Sequence, residues 1–238
     1  FFNRFAGMTR ISPALPVEPL PEGVRVFTPD DIAALRHSPR VNFADTRADD
    51  PAFLIYTSGT TAQPKGVLHA QRAAWGRRPM YQGWYGIGAE DRVMHAGGFN
   101  WTYTLGTGLL DPWANGATAI IYTGEKDPAV WPKLIAAYEA TIFAAVPSLY
   151  RRILKYADLP PGAMPHLRHG LCAGESLPEA VAREWFERTG TVLYEALGQS
   201  EISTFISSSP SVPPKPERVG KPQPGRRVAI LPQEGGDE

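Results

Sequence analysis

A chain of 238 residues can bury a sizeable core as one large or two smaller domains, and 43% hydrophobic with 20% charged residues describes a chain that folds. Lys and Arg number 24 against 24 Asp and Glu, so no field of one sign exists to gather nucleic acid or an anionic membrane, and any anion site must be local. Cys172 is the only cysteine, which excludes internal disulfides and paired-cysteine zinc or redox motifs and fits a reducing cytoplasm.

In chain order, Pro13, Pro16, Pro19 and Pro21 lack backbone donors and predict an extended connector, and residues 1–48 carry no motif. From Ala52 the pattern changes to short apolar runs, at 52–56, 118–122, 141–145 and 192–194, which read as buried strands. Helical spacing lies between them. Residues 128–139 place Val130, Leu134 and Tyr138 on one face, and 147–156 do the same with Leu149, Ile153 and Tyr156. In 178–189, Pro178 suits a first turn, Val181 and Trp185 share a face, and Gly190 can stop the helix with a positive φ. Alternating strand and helix predict an α/β fold with a largely parallel sheet flanked by helices, whose sites lie beyond the strands' carboxyl ends. The longest apolar runs, such as 141–146, fall far short of the roughly 20 residues of a membrane helix, and the N-terminus lacks a signal-peptide core, so a soluble chain is expected.

The strand ending at Tyr56 runs into Thr57-Ser58-Gly59-Thr60-Thr61-Ala62-Gln63-Pro64-Lys65-Gly66-Val67. Hydroxyl and backbone N–H donors on such a turn suit phosphate oxygens, and Lys65 adds a mobile positive charge. A Walker A loop needs Gly before the Lys and Ser or Thr after it; Pro64 and Gly66 stand there instead. Downstream, Gly198-Gln199-Ser200-Glu201-Ile202 comes within one residue of the GxSxG elbow of serine hydrolases. In those enzymes the catalytic His follows the Ser, whereas the histidines here are 37, 69, 95, 166 and 169. His166, His169 and Cys172 share a three-residue spacing, but no second cluster completes a metal site.

The string 56–66 resembles the phosphate loop [YF]TSGTTGxPKG of the adenylate-forming superfamily: acyl-CoA synthetases, luciferases and peptide-synthetase adenylation domains. Ala62 departs from the family's usual Gly. Ala173-Gly174-Glu175 is similar to the family's AGE segment beside adenine and the acyl pocket. Leu197-Gly198-Gln199-Ser200-Glu201 resembles its YGxTE, with Leu197 in place of an aromatic and Ser200 in place of Thr. The glycine- and aromatic-rich stretch His95 to Gly106 is similar to the acyl-pocket segment. Where a peptide-synthetase domain usually carries Asp to hold an amino group, Asn100 is the nearest residue, which lowers an amino-acid reading. With Val219-Gly220-Lys221-Pro222-Gln223-Pro224-Gly225, the pattern looks closest to benzoate-type CoA ligases.

The resemblance implies a two-step reaction: a carboxylic acid attacks the α-phosphate of ATP with Mg²⁺, and the acyl adenylate passes to coenzyme A. Thr57, Ser58, Gly59, Thr60, Thr61 and Lys65 would hold the β- and γ-phosphates. Ser200 and Glu201 would hold α-phosphate and magnesium, with Glu201 the metal ligand, and Lys65, Thr60 and Glu201 would be the catalytic set. Gly174, Glu175, Leu197 and Gly198 would border the nucleotide, while Phe99, Trp101, Thr102, Tyr103 and Ala173 would wall the acid, taken as aryl or medium-chain. Residues 49–238 would then be the ATP- and acyl-binding core. Because the chain opens on Phe1-Phe2-Asn3 and only thirteen residues follow Gly225, it is expected to be a piece of the large domain. The family's later TGD aspartate, hinge and C-terminal catalytic lysine do not occur in it. Alternatives are an amino-acid adenylation domain, a non-catalytic nucleotide binder and, least supported, a serine hydrolase.

Overall fold

The computed structural model describes residues 9–11, 25–27, 29–39, 42, 44–57 and 64–231. The proline connector at 13–21, the loop residues 58–63 and the terminal 232–238 lie outside them. The chain divides into two units, Phe1–Asp45 and Thr46–Glu238. In the first, β1 (Thr9–Ile11) pairs in parallel with β2 (Arg25–Phe27), and α1 (Pro29–Leu35) opens with Asp30 and Asp31 in its first turn, where carboxylates suit the helix dipole.

The second unit holds a seven-stranded sheet. β5 (Arg92–His95), β6 (Thr118–Ile120), β7 (Ile142–Ala145), β8 (His169–Ala173) and β9 (Val192–Gln199) run parallel. β10 (Ser203–Ser207) and β11 (Lys221–Pro222) add antiparallel edges, giving the order β11-β10-β9-β8-β7-β5-β6. The α/β class with a largely parallel sheet is as the sequence predicts. Strand residues alternate between two cores. Phe143, Ala145 and Cys172 face one that contains Trp131, Ile135, Tyr150, Ile153 and Trp185, from α5 (Val130–Ala137), α6 (Pro147–Tyr156) and α7 (Glu179–Thr189). Ile142, Ala144, Leu171 and Ala173 face the other, with Met80, Trp84, Tyr85 and Tyr103. Strand order reverses between β5 and β7. The connection from β5 to β6, namely α3 (Thr102–Leu105), a π-helical turn Gly106–Leu110 and α4 (Asp111–Ala114), therefore lies on the second face, with α2 (Ala73–Gly76) and a π-helical turn Tyr81–Tyr85 before β5. Such a reversal opens a crevice at the strands' carboxyl ends.

Three local expectations are corrected. The run 52–56 is not a buried strand of the parallel sheet: β3 (Pro51–Thr57) folds back antiparallel on β4 (Lys65–Ala70) as a separate hairpin in which only Ile55 and His69 are buried, since seven intervening residues are too few for a parallel crossover. On α5 the buried side chains are Trp131, Pro132 and Ile135, leaving Tyr138 exposed, because the large Trp131 ring takes the sheet-facing position. On α6, Tyr150 and Leu154 join Ile153 in the core while Tyr156 is exposed. Tyr150 wins that place by bonding: its hydroxyl lies 2.7 Å from Phe143 O and 3.1 Å from Leu171 O. On α7, Val181 and Trp185 are buried, and Gly190 ends the helix at φ 71°.

Candidate active site

Two adjoining chambers open at the carboxyl ends of β8 and β9. The first, of about 250 Å³, is walled by Trp84, Trp101 and Tyr103 and bordered by Ala173, Gly174 and Gly198. Its aromatic wall is held rigidly. Tyr103 stacks on Trp84 with centroids 5.7 Å apart, meets Trp101 edge-on at 5.3 Å and sets its hydroxyl 3.3 Å from Ala145 O and 3.2 Å from Leu171 O. Trp84 Nε1 donates to Tyr194 O at 3.0 Å. Burial pushes the Tyr103 hydroxyl pKa well up, so this ring presents a neutral surface. Gly174, at φ 92°, ends the strand where Trp101 crosses; a Cβ there would come within 2.7 Å of the indole. The wall therefore requires that glycine.

The second chamber, of about 240 Å³, shares Gly174 and Gly198 with the first and adds Glu175, Glu195, Ala196 and Leu197. Glu175 accepts from Ser148 N at 3.1 Å and Ser148 Oγ at 3.0 Å, fixing the AGE turn to the first turn of α6. Glu195 accepts from Leu177 N at 2.9 Å, and burial raises its pKa against the opposing pull of that bond. At the hairpin's end Thr57 and Lys65 pair across β3 and β4, with Thr57 Oγ1 3.5 Å from Lys65 O; Thr57 is half-buried and Lys65 exposed. Farther along β4, His69 stacks on Phe53 and lies against the Ser200 backbone; burial holds its pKa down, and Ser200 and Glu201 oppose that. The hairpin that carries the hydroxyl loop thus meets the turn that carries Ser200 and Glu201.

The structure gathers Trp101, Thr102, Tyr103, Ala173, Gly174, Gly198 and Ser200 around the first chamber, and Gly174, Glu175, Leu197 and Gly198 around the second. Phe99 lines neither and is 36% exposed. Glu201 is exposed on the turn directly after β9, next to Ser200 at the first chamber's edge. Ser58, Gly59, Thr60 and Thr61 lie outside the described residues. Among the described residues no group of three or more His, Cys, Asp and Glu is arranged to hold a metal. One carboxylate beside a hydroxyl still suits Mg²⁺, which takes one or two carboxylates and completes its octahedron with phosphate oxygens and water.

Sequence reasoning missed a buried polar cluster on the first chamber. Arg77 Nε and Nη2 meet Asp111 at 2.6–3.0 Å, Tyr85 Oη lies 2.7 Å from Asp111 Oδ2 and 2.9 Å from Thr107 Oγ1, and Arg77 Nη1 donates to Ser203 Oγ at 2.5 Å. Gly106 makes room: a Cβ there would lie 2.0 Å from the guanidinium. The available signal was Asp111 itself, a carboxylate set between Leu109-Leu110 and Pro112-Trp113, where a charge must find a partner.

A sequence profile of the AMP-binding enzyme family matches residues 12–238. The chain belongs to that family. This AMP-binding chain is 33% identical over 211 residues to a benzoate–CoA ligase of Thauera aromatica, covering 87% of the chain and 40% of that protein. It therefore spans about two fifths of that relative's length. Among solved structures, it superposes with a TM-score of 0.77 and 26% identity on the anthranilate CoA ligase AuaEII in complex with anthranoyl-AMP, covering 89% of this chain and 42% of the other. ATP-bound MatB from Rhodopseudomonas palustris gives 0.75 at 26% identity, with 85% and 41% covered. No helix among the described residues is long and apolar enough to cross a membrane.

Proposed function

We propose that the polypeptide containing this AMP-binding chain is a cytoplasmic acid–CoA ligase that forms AMP, acting on a single-ring or compact medium-chain acid. The observation that carries the reading is the pair of chambers meeting at Gly174 and Gly198. An aromatic-walled chamber for an acyl group opens there onto a second chamber bordered by the AGE turn and Leu197. A carboxylate held at the junction lies next to the α-phosphate of a nucleotide in the second chamber. Its oxygen bonds to that phosphorus as the bond to pyrophosphate breaks; the thiol of CoA then attacks the acyl carbon and AMP leaves. Catalysis here is positioning and neutralisation of developing charge. Lys65 and the hydroxyls of 57–61 take the β- and γ-phosphates, and Ser200 with Glu201 orients the α-phosphate. Glu201 would hold Mg²⁺, which supplies further charge neutralisation. The names of the matched relatives, a benzoate–CoA ligase and an anthranilate CoA ligase, support an aryl acid.

The chamber's size points the same way. At about 30 Å³ per water, 250 Å³ holds roughly eight waters, the bulk of one ring with its carboxyl. Burying a ring gains about 2 kcal/mol that acetate lacks. Acid-dependent pyrophosphate release by the complete gene product, with products trapped by hydroxylamine, should favour single-ring acids. A clear preference for acetate or for an amino acid would overturn the assignment. In the same assay Lys65→Ala should slow adenylation by on the order of a hundredfold, the cost of about 3 kcal/mol for one electrostatic donor. Wild-type pyrophosphate release from that variant would remove Lys65 from the mechanism.

A further inference from the structure

We infer that Arg77 is a specificity residue of the acid chamber, and that the acid it selects carries a neutral oxygen substituent, a hydroxyl, at the end away from its carboxylate. The inference rests on the ligase reading, which sets the carboxylate at the junction of the two chambers.

Burial orders the chamber by depth. Gly174 and Gln199 are exposed and Ser200 is half-buried at the junction, whereas Trp84, Thr107, Thr204 and Arg77 are buried, between 0% and 7% exposed. An acid with its carboxylate at the junction and its ring against the wall that Trp101 and Tyr103 form together thus directs its far end towards Arg77 and Thr107. That end is polar, which an unsubstituted ring does not need. Thr107 and Thr204 already bond within the protein, but leaving an N–H of the buried guanidinium against a bare C–H edge costs its lost hydration with no return.

The donor count says what the far end can bind. A guanidinium has five N–H groups. Those on Nε and Nη2 go to Asp111 and Tyr85, one on Nη1 goes to Ser203 Oγ, and the second N–H of Nη1 has no partner among the described residues. Ser203 Oγ accepts from Arg77, so its own proton is available to donate. Ser203 itself is held at φ 61°, a left-handed conformation that a non-glycine residue rarely adopts, and lies on the chamber wall. The wall therefore offers donors to an oxygen. It does not offer net charge: Asp111, 0% exposed, balances Arg77. A second carboxylate would be buried without a counter-ion, so a neutral hydroxyl fits and a dicarboxylic acid does not.

The test compares benzoate with 3- and 4-hydroxybenzoate in pyrophosphate release by the complete gene product. Wild type should favour at least one hydroxylated acid at least tenfold in kcat/KM over benzoate, since a site built to bond a hydroxyl discriminates strongly against the analogue that lacks it. The double variant Arg77→Met with Asp111→Leu removes both charges, which avoids the misfolding that an unpaired buried charge would cause. In it the ratio of hydroxylated acid to benzoate should fall to about one. A purely structural role for the pair would lower turnover of all three acids and leave their ratio in place, and that result overturns the inference. So does a wild type that favours benzoate. If no acid releases pyrophosphate from wild type, the ligase reading itself falls and this inference falls with it, a pattern distinct from turnover with an unaltered ratio.

Discussion

Asp111→Asn should lower the stability of the chain by about 3–5 kcal/mol, the cost of removing one partner from a buried ion pair. Arg77 is 7% exposed. Burial alone would drive its pKa down, but the charge of Asp111, assisted by Tyr85, more than offsets this and keeps it protonated. With Asn at 111 the geometry survives while the compensating charge is gone. For a chain of this size 1 kcal/mol moves Tm by about 2–4 °C, so a loss of roughly 10 °C is expected. Urea unfolding of the same proteins gives the free energy directly. Replacing both members, Arg77→Met with Asp111→Leu, should bring stability back to within about 1 kcal/mol of wild type, because apolar pairs often match a buried ion pair. A single variant within 1 kcal/mol of wild type would show that water reaches the guanidinium and that the pair is not sealed.

The fold class was legible because β7 is an unbroken apolar run buried on both faces, and the helices α6 and α7 carry periodic faces and end signals, Pro147 at a start and Gly190 at a stop, that local chemistry dictates. The hairpin was not. An apolar run such as 52–56 reads the same whether it enters a parallel sheet or pairs with its neighbour, and only the pairing partner, β4, decides. On α5 the error was one of phase: Val130, Leu134 and Tyr138 and the buried pair Trp131 and Ile135 lie on adjacent stripes, and sequence spacing cannot say which one the sheet covers. Around the chambers, Ala173 to Glu175 and Leu197 to Ser200 lie at or next to the ends of β8 and β9, and their order along the chain is what the sequence made visible. Arg77 and Asp111 are 34 residues apart, and Ser203 is 126 residues from Arg77, so their meeting depends on the crossing of helices over the sheet. The backbone needs only a turn at Ser203, and no one-residue signal announces that its hydroxyl serves a guanidinium.

Acid should unfold this chain well above the range in which ordinary carboxylates titrate. His95, at the end of β5, is 6% exposed; burial, with a smaller push from Lys126, lowers its pKa to about 3. His169, opening β8, is 2% exposed, and burial with Arg168 lowers its pKa to about 4, against opposing effects of the Tyr85 backbone and Asp91. His95 Nδ1 accepts from Gly97 N at 2.9 Å, so the imidazole is neutral with its proton on Nε2, and adding a second proton would break that bond. Both folded pKa values lie below the ordinary value of about 6.5, so the unfolded chain binds protons first as pH falls. Their contribution is complete above pH ~6.5 and is lost progressively as pH drops towards 4 and 3. Each proton taken up on unfolding costs about 1.4 kcal/mol per pH unit, so two of them between pH 6.5 and 4.5 remove on the order of 5 kcal/mol. Half-buried Glu195, whose pKa is raised, acts in the opposite sense and trims the slope. Urea unfolding across this range measures the loss. His95→Asn keeps an acceptor for the Gly97 N–H and cannot titrate there, so it should flatten the profile by about half while lowering stability at pH 7. A wild-type stability that holds level from pH 7 to 4.5 would mean that both imidazoles reach solvent or a counter-charge before unfolding.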